Sequence, residues 1–255
     1  MSTKIFVLGP AGSGKSTFSS AFKDWMGNSS YLANVVNMDP GADFLPYDPD
    51  VDIRDYIILS DIMDEYSLGP NGAQILAADM VVNYVDDILN RAEENDPDYI
   101  IFDTPGQIEL FAFRTSSEIL FEKLSGKNGF LIFLMDPMIA QTPSGYISLT
   151  MLSASVYFRF YSPFLNVINK MDLLSDEDLT KLNMWNLKRE ILYEDLRNEG
   201  KGMESLYFTE IFKALDSMGN LAGYSFVSSR DMNGFEKIYT VIQSVYGAGE
   251  DLEKR

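Results

Sequence analysis

Gly9-Pro10-Ala11-Gly12-Ser13-Gly14-Lys15-Ser16-Thr17 lies between an apolar run, Lys4–Leu8, and a run of helical character, Phe18–Met26. Strand, glycine-rich loop and helix in that order give the GxxxxGKS spacing its chemical meaning. The glycines let backbone N–H groups converge on phosphate oxygens beside a positive helix N-terminus, and Lys15 is placed to reach the outer phosphates. The Ser16 hydroxyl then faces a divalent cation. Gly12, Ser13, Gly14, Lys15, Ser16 and Thr17 are therefore a candidate cradle for phosphate and Mg2+.

Outward from this loop, short apolar runs alternate with helical stretches. Strands are predicted at Leu32–Met38, Tyr99–Phe102, Gly129–Met135, Phe164–Ile168 and Tyr224–Val227. Their almost unbroken hydrophobicity implies burial on both faces. The predicted class is α/β, a P-loop NTPase with a mainly parallel central sheet flanked by helices. The periodicity predicts one long amphipathic helix over Ala73–Arg91, with Ile75, Leu76, Met80, Val81, Tyr84, Val85, Ile88 and Leu89 on its apolar stripe. Residues 173–221 read as a helical insertion before the last strand, its Met184, Trp185, Met203 and Phe208 taken as core. No linker, repeat or low-complexity tract interrupts the chain, so one domain is expected over residues 1–246, followed by a short solvated tail, 247–255.

Composition limits the chemistry. The 255 residues carry 20 Lys+Arg against 38 Asp+Glu, a formal charge of −18, with no Cys and no His. Thiolate catalysis, disulfides, Cys-based zinc sites and imidazole bases are excluded. The negative field opposes direct contact with nucleic acid or an anionic membrane, whereas a small phosphorylated ligand can still be held by local amides and a few cations. With no basic leader and no apolar run long enough to span a bilayer, a cytoplasmic protein is expected.

Two further motifs follow in order. Tyr99–Phe102 ends in Asp103-Thr104-Pro105-Gly106-Gln107. A carboxylate at a strand end can hold Mg2+, and the Gly106 N–H can sense a γ-phosphate. Gln107 and Glu109, just past the glycine, are candidates for orienting water. Arg54 and Arg114 are candidate cations for charge stabilisation, with Arg54 also placed to pair with the acids around it. Phe164–Ile168 ends in Asn169-Lys170-Met171-Asp172. The Asp172 carboxylate can accept from both N1–H and N2–H2 of guanine, donors that adenine lacks, and a site built on such a pair discriminates by roughly 10⁴–10⁵. Lys170 would lie along the base, Asn169 would brace the loops, and the Ser228-Ser229 backbone is placed to meet guanine O6.

Taken together, Gly9–Thr17, Asp39-Pro40-Gly41-Ala42, Asp52-Ile53-Arg54-Asp55, Gly69-Pro70-Asn71, Asp103–Gln107, Asn169–Asp172 and Ser228-Ser229 resemble, in order over nearly the whole chain, the GPN-loop GTPases. Read without that resemblance, Gly69-Pro70-Asn71-Gly72 is only a turn whose Asn71 or Gly72 can cap the Ala73 helix. The resemblance implies a homodimer in which each subunit presents Gly69, Pro70 and Asn71 to its partner's active site. There the Asn71 amide would stabilise charge on phosphoryl oxygens. It also implies that Asp39 is the switch acid near Mg2+ and the attacking water, so the metal set becomes Ser16, Asp39 and Asp103. The implied activity is hydrolysis of GTP to GDP and phosphate, and the implied clients are proteins such as RNA polymerase assembly components. Two competing classes remain. One is a nucleotide-gated scaffold with little hydrolysis; the other is a metal-delivery G protein, which lacks its usual His or Cys ligands here.

Overall fold

The computed structural model describes residues 2–199, 203–219 and 223–246. Its centre is a sheet of seven strands: β1 (Thr3–Leu8), β2 (Ala33–Asn37), β3 (Val51–Asp52), β4 (Tyr99–Asp103), β5 (Gly129–Met135), β6 (Phe164–Ile168) and β7 (Ser225–Phe226). Their spatial order is β3-β2-β4-β1-β5-β6-β7, and every pairing is parallel. Register brings the functional loops to one edge. Val7 and Asn37 both pair with Asp103, Asn37 also pairs with Asp52, and Met135 pairs with Ile168. The phosphate loop and the loops at Asp39, Asp103, Asn169 and Ser228 leave the carboxyl ends of these strands, where open α/β sheets bind ligands, whereas Gly69-Pro70-Asn71 joins α2 to α3.

Alternation along each strand feeds two apolar layers. Phe6, Phe102 and Phe133 face one way; Ile5, Ile101 and Ile132 face the other. The second layer is closed by Phe18, Phe22 and Met26 of α1 (Lys15–Asn28) and by Phe235, Ile238 and Ile242 of α12 (Phe235–Tyr246). The first layer is closed by α2 (Leu59–Tyr66), α3 (Pro70–Met80), α4 (Val85–Ala92), α5 (Ile108–Ala112), α6 (Thr115–Ser125), α7 (Pro137–Ala140) and α8 (Pro143–Phe160). Phe6 stacks on Phe102 with centroids 4.6 Å apart at the middle of this layer. Truncating a ring so placed costs about 3–5 kcal/mol.

The structure corrects the sequence reading in five places. Strand β3 was not expected. It forms because Val51 and Ile53 are fully buried at the sheet edge, so the acid-rich loop has an apolar anchor. The helix over Ala73–Arg91 is two helices joined by a 3-10 turn, Val81–Tyr84, in which β-branched and Asn residues favour the tighter turn. It starts at Pro70, capped by Gly69 rather than by Asn71 or Gly72. Its buried face is made by Ala73, Ala77 and Ala78, which permit close approach, while Ile75 is 42% exposed.

The insertion holds α9 (Asp176–Leu187), α10 (Arg189–Glu199) and α11 (Met203–Ser217). Trp185 is buried there and donates from its indole nitrogen to Asp195 at 2.7 Å, but Met184 and Met203 are exposed rather than core. The expected tail, 247–255, and the end of the insertion at Leu221 lie outside the described residues.

Candidate nucleotide-binding site

The loop after β1 turns sharply enough that only glycine fits at two points. A Cβ at Gly9 would sit 2.5 Å from the carbonyl oxygen of Leu134, and Gly14 has φ of 89° with Asn169 Nδ2 where its Cβ would go. The loop thus packs directly against β5 and against the residue after β6. Lys15 opens α1 and is 6% exposed. Its ammonium donates to the carbonyls of Gly9 at 2.9 Å, Pro10 at 3.1 Å and Gly106 at 3.2 Å. Burial lowers its pKa to about 8, against the opposing pull of Asp103 and Asp39.

Across the loop, Asp103 is 2% exposed. Burial raises its pKa, and Asp39 adds to that; Tyr47, Ser16 and Lys15 act in the other direction. Tyr47 donates to its Oδ2 at 2.7 Å. Burial and the adjacent Asp103 push the Tyr47 phenol far up, so it stays a donor. Ser16 lies against the same carboxylate, and Asp103 Oδ1 is left buried with no partner. An orphaned buried carboxylate oxygen next to a serine hydroxyl fits a divalent cation. Among the described residues no group of three or more Asp or Glu is placed to cage a metal, so such an ion takes its other ligands from water and phosphate.

Asp39 is engaged twice. Its Oδ1 accepts from Gly41 N–H at 2.9 Å, and its Oδ2 accepts from Gly106 N–H at 3.1 Å. The amide expected to meet a γ-phosphate is thus held by a carboxylate. The acid-rich loop is tied down at most of its charges. Asp50 takes Lys23 at 2.7 Å, Asp55 takes Arg91 at 3.1 Å, and Asp52 takes Arg54, which also reaches the Ala42 carbonyl at 2.8 Å. Asn37 completes this network by donating to Asp52 at 2.9 Å. The cavity so enclosed is about 400 Å³ and is lined by the phosphate loop, Asn37, Asp39, Thr104, Gly106 and the switch residues Phe44–Pro46.

The other half of the site is built from the loops after β5, β6 and β7. Asn169, 1% exposed, donates to the Ser13 carbonyl at 3.0 Å and accepts from the Ser229 hydroxyl at 2.8 Å. Lys170, in a left-handed turn with φ of 56°, reaches the Gly12 carbonyl and pairs with Asp136 at 3.0 Å. Asp172 is exposed and accepts from the Ser228 hydroxyl at 2.9 Å through Oδ1. Both serines brace the motif through their side chains, and Ser228 N–H is already given to the Asn233 carbonyl. Asp136, Tyr47 and Asn37, which hold Lys170, Asp103 and Asp52 in place, were missed by the sequence reading.

Three expected catalytic residues lie apart from this core. Gln107 and Glu109 are exposed at the start of α5. Arg114 forms a two-pronged ion pair with Asp79 of α3, whose carboxylate also accepts from Ser116 at 2.6 Å. Asn71 is exposed in the first turn of α3.

A family model described as a conserved hypothetical ATP binding protein matches residues 7–248. GPN-loop GTPase 2 of Saccharomyces cerevisiae is 32% identical over 261 aligned residues, covering 96% of this chain and 75% of that protein. The chain belongs to the GPN-loop GTPase family. GPN-loop GTPase PAB0955 of Pyrococcus abyssi is 28% identical over 97% of this chain and 99% of its own length. The solved structure of PAB0955, described as a GTPase in apo form, superposes with a TM-score of 0.85 at 26% identity, covering 96% of this chain and 97% of that one. In this family member the loop Gly69-Pro70-Asn71 is the N-terminal turn of α3, and α3 is tied through Asp79 and Arg114 to the helices that follow Gly106.

Proposed function

We propose that the chain is a Mg2+-dependent GTPase that works as a homodimer and acts as an assembly factor or chaperone-like switch for protein clients. The observation that carries the base choice is the bracing of Asp172 and Asn169 by Ser228 and Ser229, with Asn169 and Lys170 locked onto the phosphate loop. A carboxylate held in that way accepts from two guanine donors and meets only acceptors and C–H on adenine. It favours the GTPase names of the relatives over the ATP in the family description.

In this reading the phosphates take the N–H groups of Gly12–Thr17 and draw the Lys15 ammonium from the carbonyls that hold it. The γ-phosphate takes Gly106 N–H from Asp39, which frees a carboxylate at the phosphoryl centre to orient water, with Gln107 and Glu109 next along the chain. Ser16 and Asp103 hold the cation, which when bound offsets the phosphate charge. Asn71 acts across the dimer on the partner's phosphoryl oxygens, a role supported by its exposure at a helix tip and by the exposed Ile58, Tyr66 and Ile75 at or within α2 and α3. Residues up to 246 serve as one domain, with α9–α11 inserted into it.

The test is phosphate release with GTP or ATP plus Mg2+ across a range of protein concentration. Turnover of GTP alone, with specific activity rising as subunits pair, is the expected result. GTP binding without phosphate release at any concentration would instead favour a scaffold.

A further inference from the structure

Tyr47 stands in the sequence Leu45-Pro46-Tyr47-Asp48-Pro49, between β2 and β3. Each proline confines the residue before it to extended backbone, so Leu45 and Asp48 have little freedom and Tyr47 is carried on a stiff strap. The strap is pinned on both sides. Arg54 holds the Ala42 carbonyl at 2.8 Å, and Asp50 accepts from Lys23 at 2.7 Å and from Val35 N–H at 2.6 Å. The Tyr47 ring is packed against the apolar layer under α1. Its hydroxyl therefore has a fixed destination, Asp103 Oδ2, at 2.7 Å. A carboxylate gripped at one oxygen loses rotational freedom, and here the grip leaves Oδ1 buried and unpartnered on a group that Ser16 lies against.

We propose that Tyr47 is a positioning residue for the divalent cation: it fixes the plane of Asp103 so that the unpartnered Oδ1 is held for the cation, and it makes metal affinity depend on where the switch strap lies. This rests on the Mg2+–nucleotide reading of the same site and adds to it. Tyr47 touches neither nucleotide nor metal and acts only through Asp103. Groups that orient a metal-holding carboxylate in this way commonly govern affinity by 10- to 100-fold, an order-of-magnitude range.

The experiment uses the full chain and two variants, Tyr47→Phe and Tyr47→Leu. Mn2+ affinity of the protein–GDP complex is read by electron paramagnetic resonance, and GDP affinity is read separately in EDTA. For Tyr47→Phe, which keeps the ring and its packing, Mn2+ affinity is expected to weaken about tenfold, with GDP affinity in EDTA unchanged. If only packing matters, Tyr47→Phe matches wild type while Tyr47→Leu is weakened, and the proposal is overturned. Tighter Mn2+ binding by Tyr47→Phe also overturns it, because the hydroxyl would then compete with the metal. A wild-type protein that binds GDP neither with Mn2+ nor in EDTA removes the nucleotide reading and this one with it. A wild-type protein that binds both, alongside an unchanged Tyr47→Phe, removes this one alone.

Discussion

The base side and the phosphate side of the candidate site are in different states of readiness. On the base side, Asn169, Lys170 and Asp172 are each held by a hydroxyl, a carbonyl or a carboxylate, and Asp172 stays exposed. On the phosphate side, Asp103 Oδ1 and Ser13 Oγ are buried without partners, Lys15 is desolvated, and Asp39 stands on the amide that a phosphate would use. The base side is built for rigid selection, because a pre-set acceptor rejects the wrong base by leaving it unpaired. The phosphate side keeps its polar groups under-satisfied, so that arrival of an anion and a cation changes their partners and moves the loops that carry them. Lys15, Asp39 and Gly106 join those loops, and in the proposed mechanism each changes partner when phosphate binds.

The base side is broken most completely at Asp172. Replacing it with Asn turns one acceptor into a donor, which opposes the guanine 2-amino group and complements a carbonyl at that position. The expected outcome is a loss of GTP preference over xanthosine triphosphate by roughly 10⁴, read by competition against a fluorescent GDP analogue. Retained GTP preference in Asp172→Asn would place base reading elsewhere.

Next in size is Asn71. If its amide donates to the partner's phosphoryl group, Asn71→Ala lowers single-turnover hydrolysis by about 10²-fold, the usual cost of one such donor, with GDP affinity preserved. An unchanged rate ends the trans role and leaves Gly69–Asn71 as a helix start.

Much of this molecule was legible in its sequence because contiguous spacing encodes it. The phosphate loop, the strand ends at Asp103 and Ile168, and the parallel sheet all follow from local pattern. What was hidden joins separate loops at one sheet edge: Tyr47 to Asp103, Asp136 to Lys170, Asn37 to Asp52. No periodicity reports such pairs, since they depend on which strands become neighbours. Arg114 illustrates the converse. Its position after Gly106 suggested a catalytic cation, yet α3 lies close enough for Asp79 to take both prongs of its guanidinium and hold its own carboxyl below the ordinary range. Composition misled at Ile75 as well, because close helix packing selects the small face of α3 over the large one.

Ser229→Ala sharpens the base side at smaller scale. It removes the hydroxyl that satisfies Asn169 Oδ1, leaving a buried acceptor unpaired at a cost of about 1–2 kcal/mol. Nucleotide affinity is expected to fall by roughly tenfold for GDP and GTP alike, because the brace is shared and the phosphate groups are untouched. A loss confined to GTP would show that Asn169 communicates with the γ-phosphate.

The smallest effect is a titration on the phosphate side. Burial lowers Lys15 to about 8, so the free protein loses this positive charge as pH rises through that value. Bound phosphate favours the charged form, so above pH 8 binding must take up a proton and affinity falls. Between pH 7.5 and 9 the protonated fraction drops roughly eightfold, and GDP affinity is expected to fall with it, with nearly one proton taken up per site at the upper end. Calorimetry in two buffers of different ionisation enthalpy reads that proton directly. Stability of the free protein moves the opposite way: the unfolded chain holds this proton to higher pH than the fold does, so the Lys15 contribution to stability rises above pH 8 while affinity declines. Affinity independent of pH with no proton uptake would mean that the ammonium is already at ease among the carbonyls of Gly9, Pro10 and Gly106. The phosphate side would then be as settled as the base side, and the contrast between them would rest on Asp39 and Asp103 alone.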